Sequence, residues 1–227
     1  MNILYIDSST EACTAGVSVG GDILFDFEIA PRGHAGLLMP MAERLMAEAG
    51  LGFGDLDLVG FGRGPGSFTG VRIATAMAQG IAITRDLPMA PVSSLACLAH
   101  GAWARFASDP GRADHERPAE VRVAIDARMG EIYRASWQAA SGGFTPVLDE
   151  AVTSPGFPAT DTRPIIAAGT GFGRYPEMLD GLEVLASEPE ALPRAEHALA
   201  LIAAQPRGEW IAPDQAVPIY LRDKVTG

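Results

Sequence analysis

Alternating hydrophobic and polar positions predict strands and helices arranged in two similar halves. The first apolar run ends on Asp7 and then on hydroxyl-bearing residues, which is typical of a buried strand entering a polar turn. Ala12–Val19 and Asp22–Ile29 have the β-rich composition of two further strands, with Gly20 and Gly21 between them as a hairpin connection. The chain therefore begins with three consecutive strands.

Helical periodicity follows these strands. Apolar residues recur at three- and four-residue steps from His34 to about Ala49. Pro40 leaves two interpretations open, because the helix either begins near this residue or is kinked where the ring removes a backbone hydrogen bond. The pattern then predicts a strand at 56–62, a glycine-rich loop at 64–70, a helix at 71–84, a strand at 87–92 and a helix at 94–106.

The second half repeats this order. It contains predicted strands at 121–126, 131–138 and 164–168, a loosely structured stretch around 142–143, glycines at 169–173, short elements near 178 and 184, and a helix at 191–204. Each half begins with a strand that ends in an aspartate, Asp7 or Asp126, and later has a strand that runs into glycines. We therefore predict a duplicated α/β fold of two lobes, each a mixed sheet flanked by helices.

Residues 108–118 are polar and rich in Asp, Pro and Gly, which predicts a linker or exposed loop. The expected lobes are 1–107 and 108–227, and we expect the tail at 206–227 to pack back on the first lobe.

Composition narrows the class of protein. The 227 residues are 48% hydrophobic and 20% charged, which excludes a disordered chain. The net charge of −11 makes the chain alone a poor ligand for a phosphate backbone.

Two cysteines indicate a reducing compartment, and no signal peptide is evident. The most apolar helical stretch, 73–83, is shorter than the ~20 residues that span a bilayer. We expect a cytoplasmic protein without a membrane segment.

The glycine-rich loop at 64–70 lies between a strand and a helix N-terminus, where backbone amides and the helix dipole favour an anion. Its spacing matches neither a Walker loop nor a dinucleotide fingerprint nor a nucleophile elbow. Two interpretations stay open, namely anion binding and a tight turn that allows close helix packing.

Asp7 and Asp126 would face each other if the two lobes clamped a cleft, and such acids hold Mg²⁺ through water in phosphate-handling enzymes. Ala127 and Arg128, however, stand where small or hydroxylated residues would cradle a phosphate. Structural capping of the turns is therefore the favoured role of both acids.

The remaining candidate chemistry is sparse. No two of the four histidines, at 34, 100, 115 and 197, have the three- or four-residue spacing of a ligand pair on one helical face. Neither Cys13 nor Cys97 has an activating partner in the sequence. We predict no metal site and no catalytic residue.

The helices at 34–49 and 71–84 carry Leu, Met and small residues at several positions. One apolar face of each helix packs in the core, and a second apolar face would be a docking surface for another helix.

Several segments together resemble the TsaB (YeaZ) family of bacterial tRNA threonylcarbamoyladenosine biosynthesis proteins. The resemblance extends over nearly the whole chain, and its most specific part is 64–72. The segments that carry it are Ile6–Thr10, His34 with Leu37–Pro40, Gly64–Ile73, Gln79–Gly80, Pro91–Leu95, Asp126–Tyr133 and Pro218–Arg222.

This resemblance implies an actin/Hsp70-like (ASKHA) fold of two duplicated lobes. It also implies a non-catalytic subunit that supports a catalytic relative, TsaD, and an ATPase, TsaE. Their complex adds a threonylcarbamoyl group to the adenosine next to the anticodon in tRNAs that read codons beginning with A. The matching positions for the metal-binding histidines of the catalytic relative are Ser94 and Leu98, neither of which is a metal ligand of that kind.

On this resemblance we expect pairing with the TsaD-like subunit, or with a second copy when that partner is missing, and contact with tRNA only within the complex. The expected partner-binding residues are His34, Leu37, Leu38, Met41, Leu45, Val71, Ala74, Met77 and Ala78. Met41→Arg or Ala78→Arg is expected to abolish pairing while leaving the monomer folded.

We expect no cofactor, except that ATP or ADP could be held at the interface with the catalytic subunit. The residues of this vestigial nucleotide edge would be Asp7, Ser9, Thr10, Gly64, Gly66, Ser67 and Arg72. The alternative function is a stand-alone enzyme, either an ATP-dependent phosphotransferase that uses Asp7 and the glycine-rich loop or a protease-like enzyme.

Overall fold

The structure is a computed structural model that describes residues 1–30, 33–111, 119–140, 143–158 and 163–222. The chain forms two compact units, Met1–Cys97 with Pro193–Tyr220 and Leu98–Leu192 with Leu221–Gly227. This division differs from the expected one, since residues 98–107 belong to the second unit and 193–220 to the first. Most of the expected linker, 112–118, lies outside the described residues.

The first unit is built on a five-stranded mixed sheet. Its elements are β1 (Asn2–Asp7), β2 (Ala12–Val19), β3 (Asp22–Ile29), α1 (His34–Glu48), β4 (Leu58–Gly64), α2 (Phe68–Ile83), β5 (Met89–Ser93), the start of α3 (Ser94–Ser108) and a last helix, Ala195–Ala204. The strand order is β3-β2-β1-β4-β5, with antiparallel pairing among β1 to β3 and parallel pairing of β1, β4 and β5.

Helices pack on the sheet because their apolar stripes need burial. The α1 and α2 helices contribute Leu38, Leu45 and Ala78 to one core cluster, which includes apolar residues of β1, β2 and β4. The helix Ala195–Ala204 contributes to a second cluster with β1 and β5 residues such as Tyr5. The helix at 34–48 runs through Pro40, so the interpretation that it begins near Pro40 is wrong.

The second unit has the same strand order. Its elements are the remainder of α3, β6 (Ala119–Arg128), β7 (Glu131–Ala140), β8 (Gly143–Thr153), β9 (Ile165–Ala168), α4 (Thr170–Arg174) and β10 (Val184–Glu188), and the helix Ala195–Ala204 is accordingly α5. The sheet order is β10-β9-β6-β7-β8, with β6, β7 and β8 antiparallel and β6, β9 and β10 parallel. Counted from its own first strand, this unit repeats the topology of the first unit. The duplicated actin/Hsp70-like class is therefore confirmed.

The main error of the secondary-structure prediction is β8, which lies in a segment that we predict to be loosely structured. Gly143 and Pro146 weaken a strand pattern because glycine is flexible and proline lacks a ladder donor. The strand nevertheless pairs with β7 along its length, and two register shifts accommodate the irregular sequence. Tertiary pairing thus overrides a weak local preference.

The described helices include none that is both long and apolar enough to cross a membrane.

Candidate functional site

The turn after β1, residues 7–10 (the Asp7 turn), is almost entirely buried. Asp7 is 2% exposed, and its carboxylate accepts hydrogen bonds from the Ser9 N–H at 2.7 Å and the Tyr5 hydroxyl at 3.0 Å. Burial raises the pKa of Asp7, while the hydrogen bond from the Ser9 backbone opposes that shift. Gly62 of β4 leaves no further space, because a Cβ there would overlap the Asp7 carboxyl group. The carboxylate is thus enclosed within the unit.

Residues 64–70 (the glycine loop) close over the Asp7 turn; they comprise the last residue of β4, a three-residue connection and the first turn of α2, which begins at Phe68 rather than at the predicted residue 71. The Ser67 N–H donates to the Ser9 carbonyl at 2.7 Å, and the Ser8 hydroxyl donates to the Gly70 carbonyl at 2.9 Å. A Cβ at Gly66 would overlap the Ser9 carbonyl oxygen, and one at Gly70 would overlap the Ser8 carbonyl oxygen. Glycine is therefore required at these positions for close backbone approach, which favours the tight-packing interpretation of the loop.

Further polar groups of the Asp7 turn form hydrogen bonds within the protein. Ser9 Oγ lies 2.8 Å from Ser94 Oγ, and the Thr10 carbonyl lies 2.9 Å from His34 Nε2. Of the seven residues expected to form a nucleotide edge, Asp7, Ser9 and Thr10 lie in the turn, and Gly66 and Ser67 contact it. Ser67 and Arg72 are the two with exposed side chains. Any ligand at this edge would meet those two side chains rather than the acid.

Arg72 is held in an aromatic cluster at the N-terminus of α2. Its guanidinium carbon lies 3.3 Å from the centroid of the Phe68 ring and 4.7 Å from that of Tyr220, and Nη1 donates to the Phe68 carbonyl at 2.9 Å. Such stacking orders the side chain without removing its charge from solvent. The C-terminal tail is held beside this cluster by a hydrogen bond one residue before Tyr220, in which the Ile219 N–H donates to the Arg63 carbonyl at 2.8 Å.

The expected partner-binding residues lie mostly in the core of the first unit. Met41 is 4% exposed and Ala78 is 0% exposed. The other buried members are Leu38, Leu45, Val71 and Ala74, whereas His34, Leu37 and Met77 are partly exposed. The six buried side chains are not available on the surface of the unit, because each helix directs its most apolar face toward the sheet. The expectation that Met41→Arg or Ala78→Arg leaves the monomer folded is therefore wrong, since each change would bury an unpaired charge.

A different face of α2 is accessible. Its residues recur about one helical turn apart, and none of them is charged. The most exposed of them is Ile83, at 70%. We call this set the α2 outer face; its residues are Ile73, Ala76, Met77, Gly80 and Ile83. A Cβ at Gly80 would meet nothing within 4 Å, so no contact of the described chain requires glycine there. A charge-free exposed face with an unexplained helical glycine is suited to close approach by another helix.

Sequence reasoning could have found this face. The only charged residue between Phe68 and Ile83 is Arg72, and apolar or small residues occur on more than one side of the helix, which is typical of a helix buried on more than one side. Which of its faces meets its own sheet, however, depends on the rotation of the helix. That rotation is fixed by tertiary packing.

Asp126 of the second unit caps a turn. Its carboxylate accepts from the Arg128 N–H at 2.9 Å and from Arg128 Nη1 at 3.2 Å, and its own N–H donates to Thr170 Oγ1 at 3.1 Å. Gly169 and Gly171 press against the Ala124 carbonyl as the glycine loop presses against the Asp7 turn. The capping role is the one that these contacts support.

The described histidines and cysteines do not form a reactive site. No group of three or more His, Cys, Asp or Glu side chains that could hold a metal ion occurs among the described residues, while His115 lies outside them. Burial raises the pKa of the Cys13 thiol to about 11 and raises that of Cys97 further. Both thiols are therefore protonated at neutral pH and weakly nucleophilic.

Comparison with known proteins gives a consistent picture. Residues 28–157 match the family model described as TsaD, a tRNA N6-adenosine threonylcarbamoyltransferase. The tRNA threonylcarbamoyladenosine biosynthesis protein TsaB of Escherichia coli is 34% identical over 99% of this chain and 96% of its own length, and its Haemophilus influenzae counterpart is 33% identical over 100% and 95%. The structure of YeaZ from Pseudomonas aeruginosa has a TM-score of 0.85 at 38% identity, covering 97% of this chain and 99% of that one.

Proposed function

The chain belongs to the TsaB (YeaZ) family of tRNA threonylcarbamoyladenosine biosynthesis proteins, and we propose that it acts there as a non-catalytic scaffold subunit. It would pair with a TsaD-like catalytic subunit and work with a TsaE-like ATPase to add threonylcarbamoyl to the adenosine next to the anticodon of tRNAs that read codons beginning with A. Without that partner it would pair with a second copy of itself.

Support for a non-catalytic role comes from the enclosure of the Asp7 turn. In a kinase-like use of this fold, a strand-end carboxylate must reach Mg²⁺ through water. Here the Asp7 carboxylate is enclosed by Tyr5, Ser9 and Gly62. The two described thiols are not poised as nucleophiles either. We therefore propose that the chain holds no cofactor of its own, and that ATP or ADP contacts it only at an interface, at Ser67 and Arg72.

The single observation that carries the scaffold proposal is the α2 outer face. It is free of charge, its residues Ala76, Gly80 and Ile83 are exposed, and the glycine has open space above it. Helices approach closely where small residues replace bulky ones, so the surface at Ala76 and Gly80 fits a partner helix. The acidic net charge of −11 supports tRNA contact through the complex rather than through this chain alone.

Pairing with the TsaD-like protein from the same organism tests this proposal. Ala76→Arg and Gly80→Arg place a long charged side chain on the α2 outer face and leave the core untouched. We expect each to weaken co-purification by tenfold or more, equivalent to about 1.4 kcal/mol, without lowering the melting temperature of the isolated chain. Threonylcarbamoyladenosine formation by the reconstituted subunits should fall in parallel.

The matched control is Leu182→Arg, because Leu182 is an exposed apolar residue of the second unit. This variant should pair like the unaltered chain. Undiminished pairing of both α2 variants would show that the surface is wrong. Failure of the unaltered chain to pair at all, or activity of this chain without companions, would refute the scaffold role itself.

A further inference from the structure

Strand β3 (Asp22–Ile29) forms an open edge of the first sheet. It is the terminal strand in the order β3-β2-β1-β4-β5, and its ladder to β2 runs without a register shift from Asp22 to Ile29. At the other end of the sheet, Met89 of β5 is bridged by Ile211, whose N–H donates to the Met89 carbonyl at 2.9 Å. Among the described strands, β3 pairs with β2 alone.

The hairpin fixes which backbone groups of β3 face outward. A two-residue loop makes Val19 and Asp22 the closing hydrogen-bonded pair, and hydrogen-bonded pairs then alternate along the ladder. The Ala30 N–H donates to the Glu11 carbonyl at 2.9 Å, which extends the same alternation. The odd-numbered residues of β3 therefore direct their N–H and C=O groups away from β2.

The exposed residues of this edge whose N–H and C=O groups face outward are Ile23, Phe25 and Ile29. They are 37%, 42% and 63% exposed, and the N–H groups of Ile23 and Phe25 have no partner among the described residues. The Phe27 N–H, by contrast, is taken by Asp26 Oδ1 at 2.8 Å. Edge strands are usually protected by proline, a bulge or charged side chains, lysine above all; β3 has no proline, lysine or bulge, and its charged residues are all acids.

The two faces of β3 differ in charge. On one face the Arg194 guanidinium carbon lies 5.5 Å from the centroid of the Phe25 ring and 4.6 Å from that of Phe27, so this face is apolar with a cation above it. On the other face stand the three acids of the strand, Asp22, Asp26 and Glu28, of which Asp26 pairs with Arg44. An added strand would therefore place apolar side chains beside Phe25 and basic side chains beside the acids.

We propose that β3 is a strand-addition site for an extended segment of another protein whose residues alternate between apolar and basic. Main-chain hydrogen bonds to Ile23 and Phe25 supply the affinity, and the alternation supplies the register. A second copy of this chain is disfavoured, because antiparallel pairing of two β3 strands would bring their carboxylates together. The site is separate from the α2 outer face and does not depend on the scaffold role.

The test uses the full chain and a capped eight-residue peptide of alternating valine and lysine. We expect a dissociation constant on the order of 10–100 μM, amide NMR shifts concentrated in β2 and β3, and slowed exchange of the Ile23 and Phe25 amides. A peptide methylated on alternate backbone nitrogens and a valine–glutamate peptide should both fail to bind.

Two proline variants test the backbone contact. Phe25→Pro and Ile23→Pro each remove an outward N–H but no ladder hydrogen bond, and each should weaken peptide binding at least about tenfold. Asp180→Lys, an exposed change in the second unit, should leave binding unchanged. Circular dichroism identifies any variant that fails to fold, and Glu28→Lys then provides a substitution that weakens binding without altering the backbone.

Three results would overturn the proposal: no binding of the valine–lysine peptide, equal binding by the folded proline variants, or shifts that fall outside β2 and β3. Self-association of the unaltered chain that Phe25→Pro abolishes would assign the edge to a second copy and would also overturn it.

Discussion

At the scale of single residues, Asp7 combines an ionisable group with nearly complete burial. Its ordinary pKa of 3.8 is raised by desolvation, and the hydrogen bonds from Ser9 and Tyr5 only partly compensate. The same burial raises the pKa of Tyr5 well above its usual value. These two groups are linked by a hydrogen bond in the centre of the first unit, so the protonation of Asp7 bears on stability.

The sign of this effect can be predicted. Since the folded chain binds the Asp7 proton more tightly than the unfolded chain does, the acid favours folding below pH 3.8, and this advantage is lost as the pH rises through the raised folded-state pKa. The free energy of unfolding, measured in urea across this range, should therefore fall relative to Asp7→Asn by at most about 1.4 kcal/mol per pH unit.

Asp180→Asn serves as the control for that measurement, since it removes one exposed carboxylate of the second unit. If the unaltered chain instead gains stability relative to Asp7→Asn as the pH rises, the carboxylate is stabilised in its charged form and our assignment of its environment is incorrect.

At the scale of elements, α2 satisfies two packing demands with one sequence. Ala74 and Ala78 allow the helix to lie close to its own sheet, and Gly80 leaves space on the side away from it. Glycine in an exposed helix interior costs roughly 0.5–1 kcal/mol relative to alanine. No contact within the first unit requires glycine at this position, so the loss of helix stability is consistent with a role of Gly80 in pairing.

Gly80→Ala should therefore separate stability from pairing. We expect the free energy of unfolding of the isolated chain to rise by about 0.5–1 kcal/mol, measured by urea denaturation, while affinity for the TsaD-like subunit falls. Ala76→Gly is the matched opposite, because it lowers helix stability and leaves more room for a partner. Stronger pairing by Gly80→Ala would contradict close approach at this position.

At the scale of the whole molecule, duplication gives each unit the same strand order and a comparable turn chemistry. In the first unit glycines press on the Ser8 and Ser9 carbonyls, and in the second they press on the Ala124 carbonyl. Both turns are thus stabilised by the protein's own backbone. In both units these contacts lie where a strand is followed by a turn and, later in the chain, by a helix.

We accordingly expect the isolated chain to bind neither nucleotide nor metal. Titration with Mg-ATP by calorimetry should give no saturable heat up to about 1 mM, corresponding to binding weaker than ~4 kcal/mol. Elemental analysis of the purified protein should find no stoichiometric zinc or iron. An ATPase run in the same buffer controls for nucleotide quality. Micromolar binding with turnover would instead support the phosphotransferase that the sequence left as the alternative.

Periodicity predicted most of the fold correctly. The limits of β2 and β3 agree with the structure because a β-rich composition and a Gly-Gly turn define them locally. The duplication was also evident, since both halves repeat a strand ending in aspartate. Strand β8 was missed, because its pairing with β7 is a long-range contact that Gly143 and Pro146 obscure in the sequence.

The sequence alone determined most of the elements, the acidic charge, the family resemblance and the presence of spare apolar surface on α2. Only the tertiary structure decided which side of that helix is free, because the rotation of a helix with apolar residues on more than one side is set by its neighbours. It likewise decided that Asp7 is enclosed and that the β3 edge is open. Contacts such as that of Ser67 with Ser9 join segments that are far apart in the chain, so the local sequence pattern does not predict them.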